Sequence, residues 1–128
     1  MPNIYVIGLD REQGRTFSRL ATDFFERELG TPRQAIYVFL RDAVLFRDGV
    51  EADPPTIIEL SWIRRPREHF LAAVAALTRI VKVDLGRAGS VQVELREKWE
   101  DGAVDGELCA DWAARNRTPA MNAKPSGA

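Results

Sequence analysis

The sequence predicts an α+β fold, a two-layer α/β sandwich whose four-stranded mixed sheet carries two helices on one face. Two observations predict this fold. The order strand, helix, strand occurs twice, with short apolar runs for strands and helically spaced apolar residues between them. The two halves also share a pattern, because "ELGTPRQAIYVFLRD" is echoed by "DLGRAGSVQVELRE" about 55 residues later. A tandem βαβ repeat in a single domain, residues 1–112, is the simplest interpretation.

The first predicted unit spans residues 2–52. Its first strand covers Asn3–Leu9, where both faces are apolar. Asp10 is a predicted helix N-cap, and Gly30 is a predicted left-handed helix end. A second strand at 36–41 completes the unit, and the following Asp-Gly pair predicts a hairpin turn.

The second predicted unit spans residues 56–109 and repeats this order. "PTIIELSWI" predicts a strand, a helix follows with Pro66 in its first turn and Gly86 at its end, and "SVQVELRE" predicts the last strand. The repeat matches the turn at Asp48-Gly49 with a second turn at Asp101-Gly102. Helical spacing predicts the core residues of both helices to be Phe17, Phe24, Phe25, Phe70, Val74, Leu77 and Val81.

One face of the predicted sheet has no helix to cover it. Right-handed crossovers place both helices on the same face. The predicted helix-facing residues are Ile36, Val38, Leu40, Val91, Val93 and Leu95, and the predicted opposite row is Tyr37, Phe39, Glu59, Ser61, Gln92 and Glu94. Because this second row is too aromatic for a solvated surface in the first unit, the sequence predicts self-association.

Composition excludes several functional classes. Eighteen basic and nineteen acidic residues give a net charge of −1, which lacks the basic footprint of a nucleic-acid or anionic-membrane binder. A single cysteine, Cys109, and a single histidine, His69, predict neither a disulfide nor a metal site, and nothing predicts a cofactor. The longest apolar run is too short to span a bilayer, so we expect a cytoplasmic protein. We expect residues 113–128 to form a disordered tail.

Pro2 is the first candidate catalytic residue. If Met1 is removed, Pro2 becomes a secondary amine, and an apolar or cationic setting would lower its pKa from about 8 so that it is a usable base. Tyr5, Phe39 and Trp62 are candidates for the apolar wall of that site. Two alternatives remain: Met-Pro is a common chain start, and a retained Met1 leaves Pro2 an amide without proton chemistry.

The segment "IRRPRE" is a candidate substrate-binding site. Arg64, Arg65 and Arg67 surround Pro66 at a predicted helix start, where free N–H groups and the helix dipole favour an anion. Such arginines can bind a substrate carboxylate bidentately. The alternative is a solvated helix start in which Arg64 faces Glu68. His69 is predicted to lie at the surface or in an interface, and Cys109 to be inert.

A first strand immediately after Met-Pro, in a tandem βαβ chain, resembles the tautomerase superfamily (the oxalocrotonate tautomerase or macrophage migration inhibitory factor-like fold). Over residues 2–109, "YVIGLDREQ", "LGTPRQ", "PTIIELSWIRRPREHF" and "REKWEDGAVDGE" look most like a bacterial branch classed as a domain of unknown function, family 1904. The resemblance implies a homotrimer with three sheets wrapped into a barrel, and an N-terminal proline acting as acid or base. That branch has no settled reaction.

The resemblance also suggests roles for three further residues. "RPR" is similar to the segment that carries the substrate-binding arginines of the malonate semialdehyde decarboxylase branch, which implies that role for Arg65 and Arg67. Tyr37 matches a tyrosine of the same branch, which implies that it acts on the substrate as an acid or hydrogen-bond donor; the alternative is that it only packs. The acidic residue that activates water there reads Ala35 here, so decarboxylation through hydration is disfavoured. In the oxalocrotonate type, a Gly-Arg pair usually follows the first strand. Here the segment reads "GLDR", so the role of that arginine is not carried over to Arg11.

These observations lead to one functional hypothesis and two rivals. The hypothesis is keto-enol tautomerisation of a small carboxylate-bearing substrate, an isomerase activity that depends on removal of Met1. The first rival is a non-catalytic trimer of the same fold. The second is a ferredoxin-like domain with the same element order, which would form a dimer and bind a small ligand.

Overall fold

Four strands form the central sheet of this computed structural model, which describes residues 2–98 and 102–116, apart from the side chains of Cys109 and Ala113. The strands stand in the order β2-β1-β5-β6, which are Tyr37–Arg41, Asn3–Ile7, Thr56–Ile63 and Val91–Lys98. β1 runs parallel to β2 and antiparallel to β5, and β5 runs parallel to β6. The predicted four-stranded mixed sheet with two βαβ units is therefore confirmed.

The strand order contradicts the ferredoxin-like alternative. In that fold the βαβ unit is split, so a strand of the other unit lies between its two parallel strands. Here β1 and β2 are direct neighbours, with Tyr5 opposite Phe39, and within the sheet the two units meet where β1 pairs with β5. The ferredoxin-like prediction is wrong, and the dimer that depended on it loses its support.

Helix α1 (Arg11–Leu29) begins and ends at the predicted residues. The Asp10 carboxylate accepts a hydrogen bond from the Gln13 N–H at 2.8 Å, and the Gln13 side chain accepts one from the Asp10 N–H at 3.0 Å. This capping box satisfies two N–H groups that a helix start otherwise leaves open. Gly30 ends the helix with φ 65°, the left-handed conformation that glycine adopts without strain.

Helix α2 (Arg67–Arg79) continues into one π turn, Ile80–Asp84, and Pro66 is its N-cap. His69 is only 3% exposed within the single chain, so its predicted position at the surface or in an interface is wrong. His69 and Ala73 lie four residues apart on one side of the helix, and Ala73 is fully buried. Because alanine is small, this side of the helix packs closely and encloses His69, whereas Phe70 and Val74 are only half-buried.

Two hairpins lie outside the sheet. β3 (Leu45–Arg47) and β4 (Val50–Ala52) are joined by the predicted turn, with Asp48 at φ 48° and Gly49 at φ 80°. β7 (Ala103–Val104) and β8 (Glu107–Leu108) are joined instead at Asp105 and Gly106, with φ 51° and 80°. This described turn lies at the Asp-Gly pair that follows Asp101-Gly102, where the sequence predicts a turn. Asp101 itself lies outside the described residues.

Helix α3 (Cys109–Asn116) is the last described element. Arg115 forms an ion pair with Glu107 of β8, and Trp112 packs against the core. Residues 113–116, assigned by the sequence to a disordered tail, are helical; the remainder of that tail, 117–128, lies outside the described residues.

The two faces of the sheet differ as the sequence predicts. Ile4, Val6, Ile58 and Leu60 are buried beneath the helices, and the register aligns the alternate residues of β2 and β6 with them. On the opposite face, which we call the open face, Tyr37 is 53% and Phe39 45% exposed. Within the described residues, no helix is long and apolar enough to cross a membrane.

Candidate active site

Pro2 is buried immediately before β1. Its carbonyl oxygen accepts a hydrogen bond from the Tyr37 N–H at 3.2 Å, which extends the pairing of β1 with β2 by one residue. Because alternate residues of a strand share a face, Pro2 belongs to the row of Ile4 and Val6, beneath the helices. The candidate base therefore lies at one end of the sheet, away from solvent.

The arginine-bearing segment begins at the same end of the sheet. Asn3 of β1 is opposite Ser61 of the antiparallel strand β5, so continuing this register by one residue brings Trp62 beside Pro2. β5 ends at Ile63, and residues 64–66 lead into α2. The topology thus brings Pro2 and the "RRPR" segment to a common sheet end, although they are far apart in sequence.

Trp62 is the buried aromatic residue at this end. It is 1% exposed and packs edge-on against Phe25 and Phe70, with ring centroids 5.2 and 5.3 Å apart. The Arg65 guanidinium lies 5.8 Å from the Trp62 ring centroid. Among the described residues, the Trp62 indole N–H has no hydrogen-bond acceptor. A buried donor without an acceptor is uncommon, because its desolvation is uncompensated.

The apolar wall predicted from three aromatic residues is not formed as one surface. Tyr5 and Phe39 stack on each other with centroids 5.0 Å apart on the open face. Trp62 shares its row with Ile58 and Leu60 on the helix face. The prediction failed because the parity of each residue within its strand decides its face, and Trp62 and Tyr5 have opposite parity in the paired register.

The three arginines of the segment have different surroundings. Arg64 donates from Nε to the Glu97 carboxylate at 2.9 Å, which directs it toward β6. Arg65 is half-buried against Trp62. Arg67 is exposed at the first residue of α2, where the helix dipole favours a bound anion. Of the three, Arg65 has a contact that links it to the Pro2 end of the sheet.

Tyr37 has a backbone link to Pro2 but a side chain on the other face. Its ring lies 6.4 Å from that of Phe39 on the open face. Ala35, which occupies the position of the water-activating acid in the resemblance, is buried and carries no ionisable group. Among the residues that the structure describes, no group of three or more histidine, cysteine or acidic side chains is placed to hold a metal ion.

An ionic cluster on the open face was not predicted from the sequence. Glu59 of β5 forms ion pairs with Arg41 of β2 at 3.3 Å and with Arg96 of β6 at 2.9 Å. The Arg41 guanidinium also lies 4.1 Å from the Tyr5 ring centroid. The sequence held a signal for this cluster, because the repeat aligns Arg41 with Arg96. Only the sheet order shows that both arginines lie beside the Glu59 carboxylate.

Comparison with known proteins supports the fold. No protein-family model matches the chain, and no curated protein matches it. Among solved structures, a domain of unknown function (DUF1904) from Sebaldella termitidis matches with a TM-score of 0.75 and 25% identity, covering 84% of this chain and 99% of that one.

Two further structures share the fold at lower identity. Pt0534 inactivated by 2-oxo-3-pentynoate has a TM-score of 0.69 and 19% identity over 86% of this chain and 97% of its own. The wild-type asymmetric trimer of R7 fused 4-OT has a TM-score of 0.73 and 15% identity over 87% and 98%. By its strand order and these matches, the chain has the fold of the fused 4-OT structures and is similar to the DUF1904 domain of Sebaldella termitidis.

Proposed function

We propose that the protein is a tautomerase-like isomerase in which Pro2, after removal of Met1, transfers a proton within a small 2-oxo acid. The observation that carries this proposal is the burial of Pro2 at the sheet end where Trp62 and Arg65 also lie. Burial and a nearby guanidinium both disfavour a protonated amine, so the freed Pro2 nitrogen would be a neutral base near pH 7.

The proton transfer needs a base, an anion site and no outside reagent. The neutral Pro2 amine removes a proton from the carbon next to the substrate carbonyl, and the electron pair moves onto the carbonyl oxygen as an enolate. Protonation of that oxygen by the Pro2 ammonium gives the enol and restores the amine. Arg65 and Arg67 would bind the carboxylate, and Tyr37 would donate a hydrogen bond at the rim of the site.

One neighbour supports the choice of substrate class. Pt0534 is inactivated by 2-oxo-3-pentynoate, which is itself a 2-oxo acid carrying an alkyne that accepts nucleophiles. A secondary amine at Pro2 would add to that alkyne without a leaving group, so the protein would gain the mass of one reagent molecule. A retained Met1 would prevent this reaction, because an amide nitrogen is not nucleophilic.

We further propose that the active protein is a cytoplasmic homotrimer. Support comes from the exposed aromatic residues of the open face and from the trimeric fused 4-OT structures that share the fold. The second candidate is a non-catalytic trimer of the same fold. The exposed aromatic residues of the open face favour association with other chains whether or not Pro2 is a base.

The test combines mass and activity. Intact-mass measurement of the native protein is expected to show loss of one methionine. Wild type is then expected to tautomerise phenylpyruvate or 2-hydroxymuconate and to gain one equivalent of 2-oxo-3-pentynoate, with the adduct mapped to Pro2. Pro2→Ala should lose about 100-fold or more in kcat/KM, as expected when a general base is removed.

The outcomes separate the two candidates. Arg67→Gln should raise KM with a smaller effect on kcat, because it removes carboxylate binding common to ground state and transition state. Arg79→Gln, an exposed arginine at the other end of α2, is the matched control and should behave as wild type. A native protein that retains Met1 would refute the proline mechanism and leave the non-catalytic trimer.

A further inference from the structure

Helix α1 carries a repeated tetrapeptide pattern that the proposed function does not use. "REQGRTFSRLAT" places an arginine at every fourth position, Arg11, Arg15 and Arg19, and a small residue three positions after each. Residues four apart lie on the same side of a helix, one turn above each other. The pattern therefore builds a row of arginines beside a row of Gly14, Ser18 and Thr22.

These two rows line a groove between α1 and β2, with a volume of about 590 Å³. Its floor is apolar: Val38 and Leu40 of β2 line it, above the buried Val6 and Phe17. The three arginines of the row form its rim. This volume is that of an ordinary small-molecule pocket. Pro2, Trp62 and Arg65 are not among its lining residues, so the groove is separate from the proposed active site.

The charges of the groove are unbalanced. Arg11 and Arg19 make no ion pair with any described residue, and Arg15 approaches Glu12 only to 3.7 Å at an exposed surface. Arg33 also lines the groove, but the Asp23 and Glu26 carboxylates balance its positive charge. Its hydrogen bonds to these two residues raise the pKa of Arg33. The uncompensated positive charge thus comes from the row on α1.

This arginine row costs the helix stability. Like charges four residues apart repel each other, and cations near a helix N-terminus oppose the helix dipole. An anion bound along the row would offset both effects. Folding alone does not explain why three arginines stand in this row.

We propose that this groove binds an amphiphilic carboxylate, with its acyl chain on the Val38 and Leu40 floor and its carboxylate on Arg15 and Arg19. An inorganic anion would leave the apolar floor in water, and a neutral hydrophobic molecule would leave the arginine row without a counter-charge. A chain of about ten carbons with a terminal carboxylate satisfies both requirements.

The test is calorimetric titration of the full-length protein with decanoate below its micelle concentration. Saturable binding of one decanoate per chain is expected. Butyrate, which keeps the charge but loses most of the chain, and decan-1-ol, which keeps the chain but loses the charge, should each bind at least about tenfold more weakly, a difference of one decade in Kd.

The variants assign the site. The double variant Arg15→Gln, Arg19→Gln should weaken decanoate about tenfold and leave decan-1-ol unchanged. The control is the double variant that carries Arg27→Gln and Arg79→Gln. It removes two exposed arginines outside the groove and should bind decanoate as the wild type does. Pro2→Ala should also bind normally, which separates this site from the proposed activity. Absent binding, equal binding of decan-1-ol, or no effect of the groove variant would each overturn the proposal.

Discussion

Glu59 links three strands on the open face through two ion pairs. It is 14% exposed and pairs with both Arg41 and Arg96, so its charge-assisted hydrogen bonds are partly shielded from water. We expect Glu59→Gln, which keeps the shape and removes the charge, to lower the free energy of unfolding by about 1–3 kcal/mol. Urea denaturation monitored by circular dichroism measures this change.

The matched control for Glu59 is Glu12. Its ion pair with Arg15 is 3.7 Å long, with both side chains largely exposed. Glu12→Gln should therefore change the free energy of unfolding by less than about 0.5 kcal/mol. Equal effects of the two substitutions would show that the cluster around Glu59 adds no stability beyond an ordinary surface pair.

Gly8 permits a close approach of two backbone segments. Its φ is 95°, and a Cβ atom placed there would lie 2.4 Å from the carbonyl oxygen of Pro55, which leads into β5. Gly8→Ala should destabilise the protein by more than about 2 kcal/mol, because backbone strain adds to a clash with main-chain atoms. Thermal and urea unfolding of the variant give the value.

Gly49 separates strain from clash in this prediction. Its φ is 80°, but no atom lies within 4 Å of the position of a Cβ. Gly49→Ala should cost only the left-handed strain, about 1 kcal/mol. A Gly8→Ala variant as stable as Gly49→Ala would mean that the chain around Pro55 yields easily.

At the scale of elements, α1 depends on its capping box. Asp10→Ala removes the acceptor for the Gln13 N–H and should lower the free energy of unfolding by about 1 kcal/mol. Asp10→Asn keeps a side-chain oxygen in place and should cost only a small part of that. If Asp10→Ala and Asp10→Asn are equally stable in urea, the cap hydrogen bond is not what begins the helix.

Element ends were predictable because their causes are local. The N-cap at Asp10, the left-handed stop at Gly30 and the Asp48-Gly49 turn each depend on residues within a few positions. The burial of His69 was not predictable, because it depends on how closely the neighbouring alanines let α2 approach the sheet.

The candidate site was less predictable than the fold, because it depends on strand register. The sequence predicts Pro2 and Arg65 as separate motifs, and the antiparallel pairing of β1 with β5 brings their segments to one sheet end. The same register places Trp62 on the helix face, against expectation. A shift of one residue reverses every side chain in a strand, and local patterns do not fix the register between distant strands.

At the scale of the whole molecule, we expect the open face to form the interface between chains. Phe39 is 45% exposed and stacked on Tyr5 at the centre of an aromatic patch that also includes Tyr37. Such a patch on a sheet with no second layer is typical of an interface between chains. We expect sedimentation equilibrium of the wild type to give the mass of three chains.

Phe39→Arg tests whether this face holds the chains together. It places a cation beside Arg41 on the same face, which opposes burial against a second copy but costs little in a solvated monomer. We expect the mass to fall toward one chain while circular dichroism shows an intact fold. Leu71→Arg changes an equally exposed apolar residue, 53% exposed on α2 in the helix layer, and should leave the mass at three chains. If Phe39→Arg keeps the mass of the wild type, the open face is not the interface. If Leu71→Arg lowers the mass instead, the helix layer forms the interface, because an added charge disrupts the face that is buried between chains.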